Sequence, residues 1–546
     1  MSKYQKPGRA LASGLAVSVL FFGLAGTRYT AEGPVATGRA VYTASEDSLT
    51  EVYEVDGVRI IHRRVLTNDV VAVNLYLLGG ARQIDERTAG IEPLLLRASW
   101  GGTRDYPGTA SAEAEVRTGS RTIVSAWPDW TIFGFRGLVE EFDSTWALFA
   151  NRLMYPTLDS AAVELARSKL LRNARAAEDD PDVMVRSLAA SLAFAEHPYV
   201  HNVHGTVSSL SGLTIEDLRA YLVEQIVSSR MLLVVVGNVS RERVEVAVRR
   251  TIATLPRGYY VWELPPTWAG DSTAVRVEQR PLPTNYILGY FAGPHASSAD
   301  YPDFRVAVAV LSGFIFGRIR EEGLSYAAGA WVMDQAASGG AVYVSTTDPD
   351  ESVRIINSAI ERLQGGYVRG PTLEQWAKGS IIDYYTSNEA NEAQADALAR
   401  AYLYRGELPT AEAYVDELRG VEPHEVRGAA ERYFTNIQFA FLGDPDAVPE
   451  RLATGSTETD RPVGQNITDY RLIRLYGTRR PECPYVQMHP IEVWNVHDAS
   501  DLQRAVLNEG GDGAIRIEQV QRQSAGRIEV GWRAVVIRFT NPECRY

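Results

Sequence analysis

At 546 residues, with 45% apolar and 23% charged side chains, the chain has globular composition and exceeds what one hydrophobic core fills. Length alone calls for about three or four domains. A net charge of −13 and the lack of a basic tract interleaved with aromatics argue against a nucleic-acid binder.

Lys3, Lys6 and Arg9 precede a mostly apolar run over residues 10–26. This pattern predicts a secretory leader over residues 1–30, either cleaved or kept as a membrane anchor. The protein is therefore expected to be exported, to a periplasm or cell envelope. Residues 53–66 (YEVDGVRIIHRRVL) predict a hairpin around Asp56-Gly57. Residues 70–78 read as a strand ended by two glycines. The following GIEPLLLRASWGGT (residues 90–103) reads as a short buried helix closed by glycine. Residues 121–135 (RTIVSAWPDWTIFGF) form a second strand region. Helical periodicity then covers 138–154 and 160–177, and Asp179-Asp180-Pro181 breaks the second helix before another.

HPYVHNVHG (residues 197–205) predicts a loop. His197, His201 and His204 form the chain's one histidine cluster, but Pro198 and Gly205 disfavour the helix that would align them on a metal. Thr214 and Asp217 make a capping-box-like pair opening a helix, and the apolar run 231–236 predicts a strand covered on both faces. Residues 256–275, rich in Pro, Gly and aromatics, read as a linker. The pattern then repeats: a strand from 285, a helix over 303–319, a helix from Pro371-Thr372 with Thr372 and Gln375 as a capping pair. Residues 422–445 parallel residues 214–239, each an amphipathic helix, a turn, an apolar strand and a glycine. A repeat this long means a duplicated domain. Residues 449–467 form a polar linker, and residues 468–546 a small strand-rich module with alternating runs at 514–520, 527–532 and 534–539. Cys483 and Cys544 are the only cysteines; their confinement to this module fits one disulfide, with two unpaired buried thiols as the alternative.

Several of these segments together resemble the insulinase/pitrilysin-type zinc peptidases. The resemblance rests on VNLYLLGGARQIDERTAGIEPLLL, the strand region 121–135, EHPYVHNVHGT and FGRIREEGLSYAAGA, and it spans about residues 50–448. It implies an α+β fold: two tandem homologous α/β-sandwich domains, at 45–255 and 276–448, with the β-rich module appended. It also implies a substrate that adds as a strand to the edge at 121–135. The family's helix reads G-[LI]-x-H-x-x-E-H, with His at i and i+4 binding zinc and Glu at i+3 activating water. Here Pro93, Leu96 and Arg97 occupy those places, and Asn173 aligns with the third ligand, a Glu. His424-Glu425 lacks a second histidine four residues on. No metal, cofactor or intrinsic catalytic residue is therefore expected. Arg320 and Tyr326 match the family's substrate-contact Arg and Tyr, although the segment is one residue short and Arg318 competes for the arginine's place. A guanidinium and a phenol suit a peptide carbonyl or developing oxyanion. The alternative is a surface ion pair with Glu321 or Glu322 and a half-buried strand tyrosine. The resemblance implies a non-catalytic subunit of a heterodimeric zinc peptidase, contacting peptide beside a zinc-bearing homologue. The competing expectation is an envelope binding or scaffold protein outside proteolysis.

Overall fold

The computed structural model describes residues 49–366, 368, 370–408 and 410–454, and the strands at 472–474, 485–494, 513–524 and 527–539. The leader, Cys483 and Cys544 lie outside the described residues.

In the first half, strands β1 (Thr50–Val55), β2 (Val58–Arg63) and β3 (Val70–Leu78) precede helices α1 (Ile91–Ala98) and α2 (Ala110–Thr118). The hairpin β4 (Arg121–Ala126) and β5 (Trp130–Leu138) follows, then α3 (Phe142–Met154), α4 (Ser160–Asp179), α5 (Pro181–Ala193), α6 (Val207–Gly212), α7 (Ile215–Gln225), β6 (Met231–Val236) and α8 (Arg241–Arg250). The second half runs β7 (Ala274–Gln279), β8 (Asn285–Ala292), α9 (Tyr301–Glu321), β9 (Ala328–Met333), β10 (Gly339–Thr346), α10 (Pro349–Gln364), α11 (Gly370–Ser387), α12 (Asn391–Arg400), α13 (Ala411–Gly420), α14 (Pro423–Tyr433), β11 (Gln438–Gly443) and α15 (Glu450–Thr454). Both Asp56 (φ 47°) and Gly57 (φ 88°) are left-handed, as the two-residue β1–β2 turn requires.

The first sheet has the order β1-β2-β6-β3-β5-β4 and the second β7-β11-β8-β10-β9. Apart from β1 they correspond strand for strand: β2 and β6 are parallel like β7 and β11, and the remaining neighbours are antiparallel in both. The duplication read from sequence is thus a duplication of topology. The tail forms an antiparallel sheet, β12 (Leu472–Arg474), β14 (Gly513–Ser524), β15 (Arg527–Phe539) and β13 (Tyr485–Trp494), in that order. The two runs expected at 527–532 and 534–539 are one strand, and Pro490 falls at a register shift on the edge strand β13, where a missing N–H is tolerated.

Each half lends a helix to the other. One face of the first sheet (Val71, Val73, Leu75, Leu77, Leu233, Val235) packs on its own helices, while the opposite face (Ile61, Tyr76, Leu78, Val234) joins a core containing Ala395, Leu398 and Ala399 of α12. Reciprocally, Leu288, Tyr290, Ala440 and Leu442 of the second sheet pack with Val185 and Ala189 of α5. Burial on both faces explains the unbroken apolar run at β6. The exchange is bonded symmetrically: Tyr76 on β3 donates to Asp396 of α12 (2.9 Å), and Tyr343 on β10 donates to Asp182 of α5 (2.6 Å).

Three sequence expectations need correction. The stretch 256–275 has no regular element before β7, but it is a packed strap, not a loose spacer. Trp268 is buried against Phe194, Trp262 Nε1 donates to Leu403 O (2.9 Å), and Arg82 donates to Glu263 O (2.6 Å). The polar linker at 449–467 begins with a helix, α15, whose Leu452 is buried. Helix α11 starts at Gly370, so Pro371 and Thr372 lie inside it and a cap at Thr372 is out of place.

At the β4–β5 turn, Asp129 is only 1% exposed and accepts from Tyr199 Oη (2.5 Å), Tyr404 Oη (2.8 Å) and the Ala336 N–H (2.8 Å). Asp129→Ala leaves these donors unsatisfied in the interior and is expected to lower unfolding free energy by roughly 3 kcal/mol or more, read from denaturant melts. Acid should also destabilise the fold. Burial holds the pKa of His62 and of His197 below the ordinary imidazole value. A depressed folded pKa gives stability that is full above the unfolded value and lost as pH falls through the folded one. The denaturant midpoint should therefore fall between pH 7 and pH 5, and His62→Leu should remove part of that dependence.

Candidate functional site

Helix α1 is entered through Gly90, which is left-handed (φ 83°) and lies against Gly205; a Cβ on Gly90 would stand 2.7 Å from the Gly205 Cα. Two glycines back to back seat the histidine loop on the start of α1. The helix is anchored from below by Glu92, which accepts from Arg230 Nη2 and from Tyr221 Oη, both at 2.7 Å. Arg230 and Glu92 are 1% and 4% exposed, and Arg230 Nε also donates to Leu78 O (2.8 Å), tying α1 to the end of β3. The lone carboxylate of α1 is therefore committed to structure.

Pro93 and Leu96 are buried and Arg97 is half-buried. Arg97 Nη2 donates to Val124 O on β4 (3.1 Å), and its Cζ stands 5.8 Å from the centroid of Trp100. Burial pulls the Arg97 pKa below its usual value. Helix α4 packs on α1, but its inward residues are Val163, Ala166, Arg167 and Leu170; Asn173 is exposed. A proline, a buried leucine and a guanidinium offer a metal no lone pair, so zinc does not fit this site. Among the described residues, no group of three or more His, Cys, Asp or Glu side chains is placed to hold a metal.

The histidines do not converge. His197 Nδ1 accepts from the Tyr199 N–H (3.2 Å) while Nε2 faces Pro266 O (3.1 Å), which makes it a turn residue that clasps the strap. His204 is solvent-accessible yet enclosed by protein on most sides. That enclosure and the nearby Arg97 charge lower its pKa.

Arg320 lies in the last turn of α9 and Tyr326 in the segment before β9, beyond a left-handed Gly323 (φ 71°). Arg318 lies 3.7 Å from Glu321 and 3.3 Å from Glu322. Arg320 stacks over Phe316 at 5.6 Å. Tyr326 precedes the strand and is 82% exposed, so it is not the half-buried strand tyrosine of the alternative expectation. A separate cavity of about 1040 Å³ is lined by Tyr301, Arg305, Trp331, Asp334, Asp396 and Arg400 among others. Within it Arg400 pairs with Asp396, and both Arg305 and Arg400 approach Asp334. Neither Arg97 nor Arg320 nor Tyr326 lines it.

Residues 212–373 match the family model for the peptidase M16 inactive domain. Over 391 residues the chain is 21% identical to a Bacillus subtilis protein named uncharacterized zinc protease YmxG, covering 70% of this chain and 94% of that one. It is 22% identical to the mitochondrial-processing peptidase subunit beta of Blastocladiella emersonii, over 44% of this chain and 52% of that subunit. A protease from Helicobacter pylori superposes with a TM-score of 0.66 at 16% identity, covering 72% of this chain and 99% of its own. The chain thus has the fold of the peptidase M16 proteins and resembles them in sequence over residues 212–373. A peptidase M16 inactive domain from Pseudomonas fluorescens superposes almost as well (TM-score 0.64, 16% identity, 72% and 98% covered).

Asp129, the Glu92–Arg230 pair and the approach of Arg97 to β4 were not found in the sequence. The one available signal was an acidic residue between Trp127-Pro128 and Trp130, in a hairpin otherwise apolar. Proximity of Arg97 and His204 is open to a direct check. An NMR titration should place His204 below 6.5, and Arg97→Gln should move it upward, because removing a positive charge eases protonation.

Proposed function

We propose that this chain is the non-catalytic subunit of an exported heterodimeric zinc peptidase. It would form half of a substrate chamber and present Arg320 and Tyr326 to peptide held at a zinc-bearing partner. The observation that carries the proposal is Tyr326: a tyrosine 82% exposed at the mouth of β9, six residues after Arg320 in the last turn of α9. A phenol kept in solvent is available to donate to a carbonyl oxygen, and the adjacent guanidinium supplies positive charge where an oxyanion develops. The site without zinc ligands on α1 supports a partner as the source of the metal. Kinship with a processing-peptidase subunit is in keeping with work in a pair.

The four-stranded tail sheet favours a second reading, an envelope binding or scaffold protein that has left proteolysis. Residues 472–539 lie beyond the stretch, about residues 50–448, over which the family resemblance runs. Co-expression with a homologue that carries the complete zinc motif separates the two. On the first reading the chains co-purify and the pair cleaves peptides. Arg320→Ala and Tyr326→Phe then each lower kcat by roughly ten- to a hundred-fold without dissociating the pair. Full activity of the partner alone, or of the doubly substituted pair, sinks the first reading and leaves the second.

A further inference from the structure

The cavity of about 1040 Å³ stands apart from the residues assigned to peptide contact. It is enclosed by α9, the end of β9, α11, α12 and α13 of the second half and by residues 63–67 of the first. Its volume suits a small organic ligand, and most of its wall is aliphatic or aromatic. Leu66 and Tyr385 line it and are exposed, so it opens to solvent through an apolar rim.

Its charge runs against that of the chain. Five lining residues are arginines and three are aspartates, with no lysine, glutamate or histidine, whereas the whole chain has 68 acidic against 55 basic residues. Arg400 meets Asp396 at 3.4 Å, and Arg405 meets Glu417 at 2.6 Å. The Arg64 guanidinium has a neutral partner, Asn238 Oδ1, at 2.9 Å. Arg305 is the one left with most to offer. A guanidinium carries five N–H donors. Among the described residues, that of Arg305 makes one hydrogen bond, from Nη1 to Tyr301 Oη (3.3 Å), and Asp334 Oδ1 stands off at 3.9 Å. The same carboxylate accepts from Tyr301 (3.1 Å) and lies 4.0 Å from Arg400.

An aromatic wall leads away from this arginine. Arg305 Cζ is 5.6 Å from the ring centroid of Tyr301 and 6.0 Å from that of Tyr414. Tyr414 packs on Tyr384 at 4.5 Å, and Tyr384 meets Tyr385 edge-on at 5.6 Å. All four tyrosines line the cavity. Such rings pack well on another ring, offset or edge-on.

We propose that this cavity binds a small ring-bearing carboxylate, its anion on the open donors of Arg305 and its apolar body on the tyrosine wall. A carboxylate presents two oxygens to the fork of a guanidinium. A cation would be repelled by Arg305 and Arg400, and an uncharged ligand would leave donors of Arg305 without an acceptor. The cavity is walled by both halves, so a bound ligand bridges them and stabilises the folded chain. The site needs neither a zinc-bearing partner nor a peptide, so it stands or falls independently of the proposed function.

The test is calorimetric titration of the full chain with naphthalene carboxylate, with its neutral amide, and with decanoate, which carries the same anion on an unbranched chain. The aromatic acid is expected to bind roughly tenfold or more tightly than the amide, and more tightly than decanoate. It should also raise the thermal midpoint of the chain. Arg305→Gln should abolish the preference for acid over amide, and Arg305→Lys should keep part of it. Ala309→Trp, which fills the cavity from α9, should abolish binding of the acid. Circular dichroism identical to the parent shows that each variant is folded. Equal affinity for acid and amide, a preference that survives Arg305→Gln, or acid binding unchanged by Ala309→Trp would overturn the proposal. So would decanoate binding as tightly as the aromatic acid, or no saturable binding of the acid at millimolar concentration.

Discussion

Two tyrosines from opposite halves of the chain, Tyr199 and Tyr404, donate to the single buried carboxyl group of Asp129, and the Ala336 N–H completes its shell. Trp130, the next residue, stacks on Tyr404 at 5.2 Å and meets Tyr76 edge-on at 5.5 Å. A polar group in such surroundings is tolerated only if its partners stay in place. The β4–β5 turn, the histidine loop, the turn between β9 and β10 and the helical turn at Tyr404 must therefore meet at one point. Burial and the neighbouring Asp129 charge push both phenols far above their ordinary pKa, so each remains a donor at any pH the protein would meet. The register between the two sheets is set here as much as by the apolar cores.

That constraint makes sense of the exchange of helices. α5 and α12 occupy equivalent places in the duplicated topology, and each leaves its own half to cover the other's sheet. A sheet buried on both faces needs a second layer, and in each half a helix of the other supplies part of it. The strap between the halves then cannot be loose. Its Trp262 and Trp268 are fixed by Leu403 and Phe194, residues that flank the two exchanged helices. Arg400 of α12 closes the arrangement, stacking on Trp127 and Trp130 at 5.3 and 5.7 Å.

Local chemistry was legible in the sequence and long-range chemistry was not. The Asp56-Gly57 turn, the Thr214–Asp217 capping box and the apolar strand at β6 follow from residues in contact along the chain, and all are present. The duplication was legible because it repeats a local pattern. Helix α1 itself was legible, and with it the place of Pro93, Leu96 and Arg97 on one helix. The packed strap was not, since Pro, Gly and aromatic residues describe a flexible spacer and a tightly held one equally well. The reach of Arg97 to Val124 O and of Arg230 to Glu92 is set by tertiary packing across 27 and 138 residues, which no periodicity reports. Helix α2 escaped notice because it buries only Ser111, Ala114 and Thr118, too little apolar surface to leave a stripe.

Helix α1 is held chiefly by packing: Pro93 and Leu96 are buried, while Glu92 and Arg230 keep its foot on β3. Arg97 is different in kind, since it brings a half-buried positive charge to the edge of β4. Leucine or methionine there would fill the same recess without stranding buried donors. The guanidinium instead ties α1 to β4 through the Val124 carbonyl. The edge of β4 is capped by the same contact. Edge strands are commonly blunted against pairing with other chains, and Glu115 and Arg97 blunt this one over Thr122 and Val124. Val124 and Ala126 are only 6% and 5% exposed, so the far end of the edge is shielded as well.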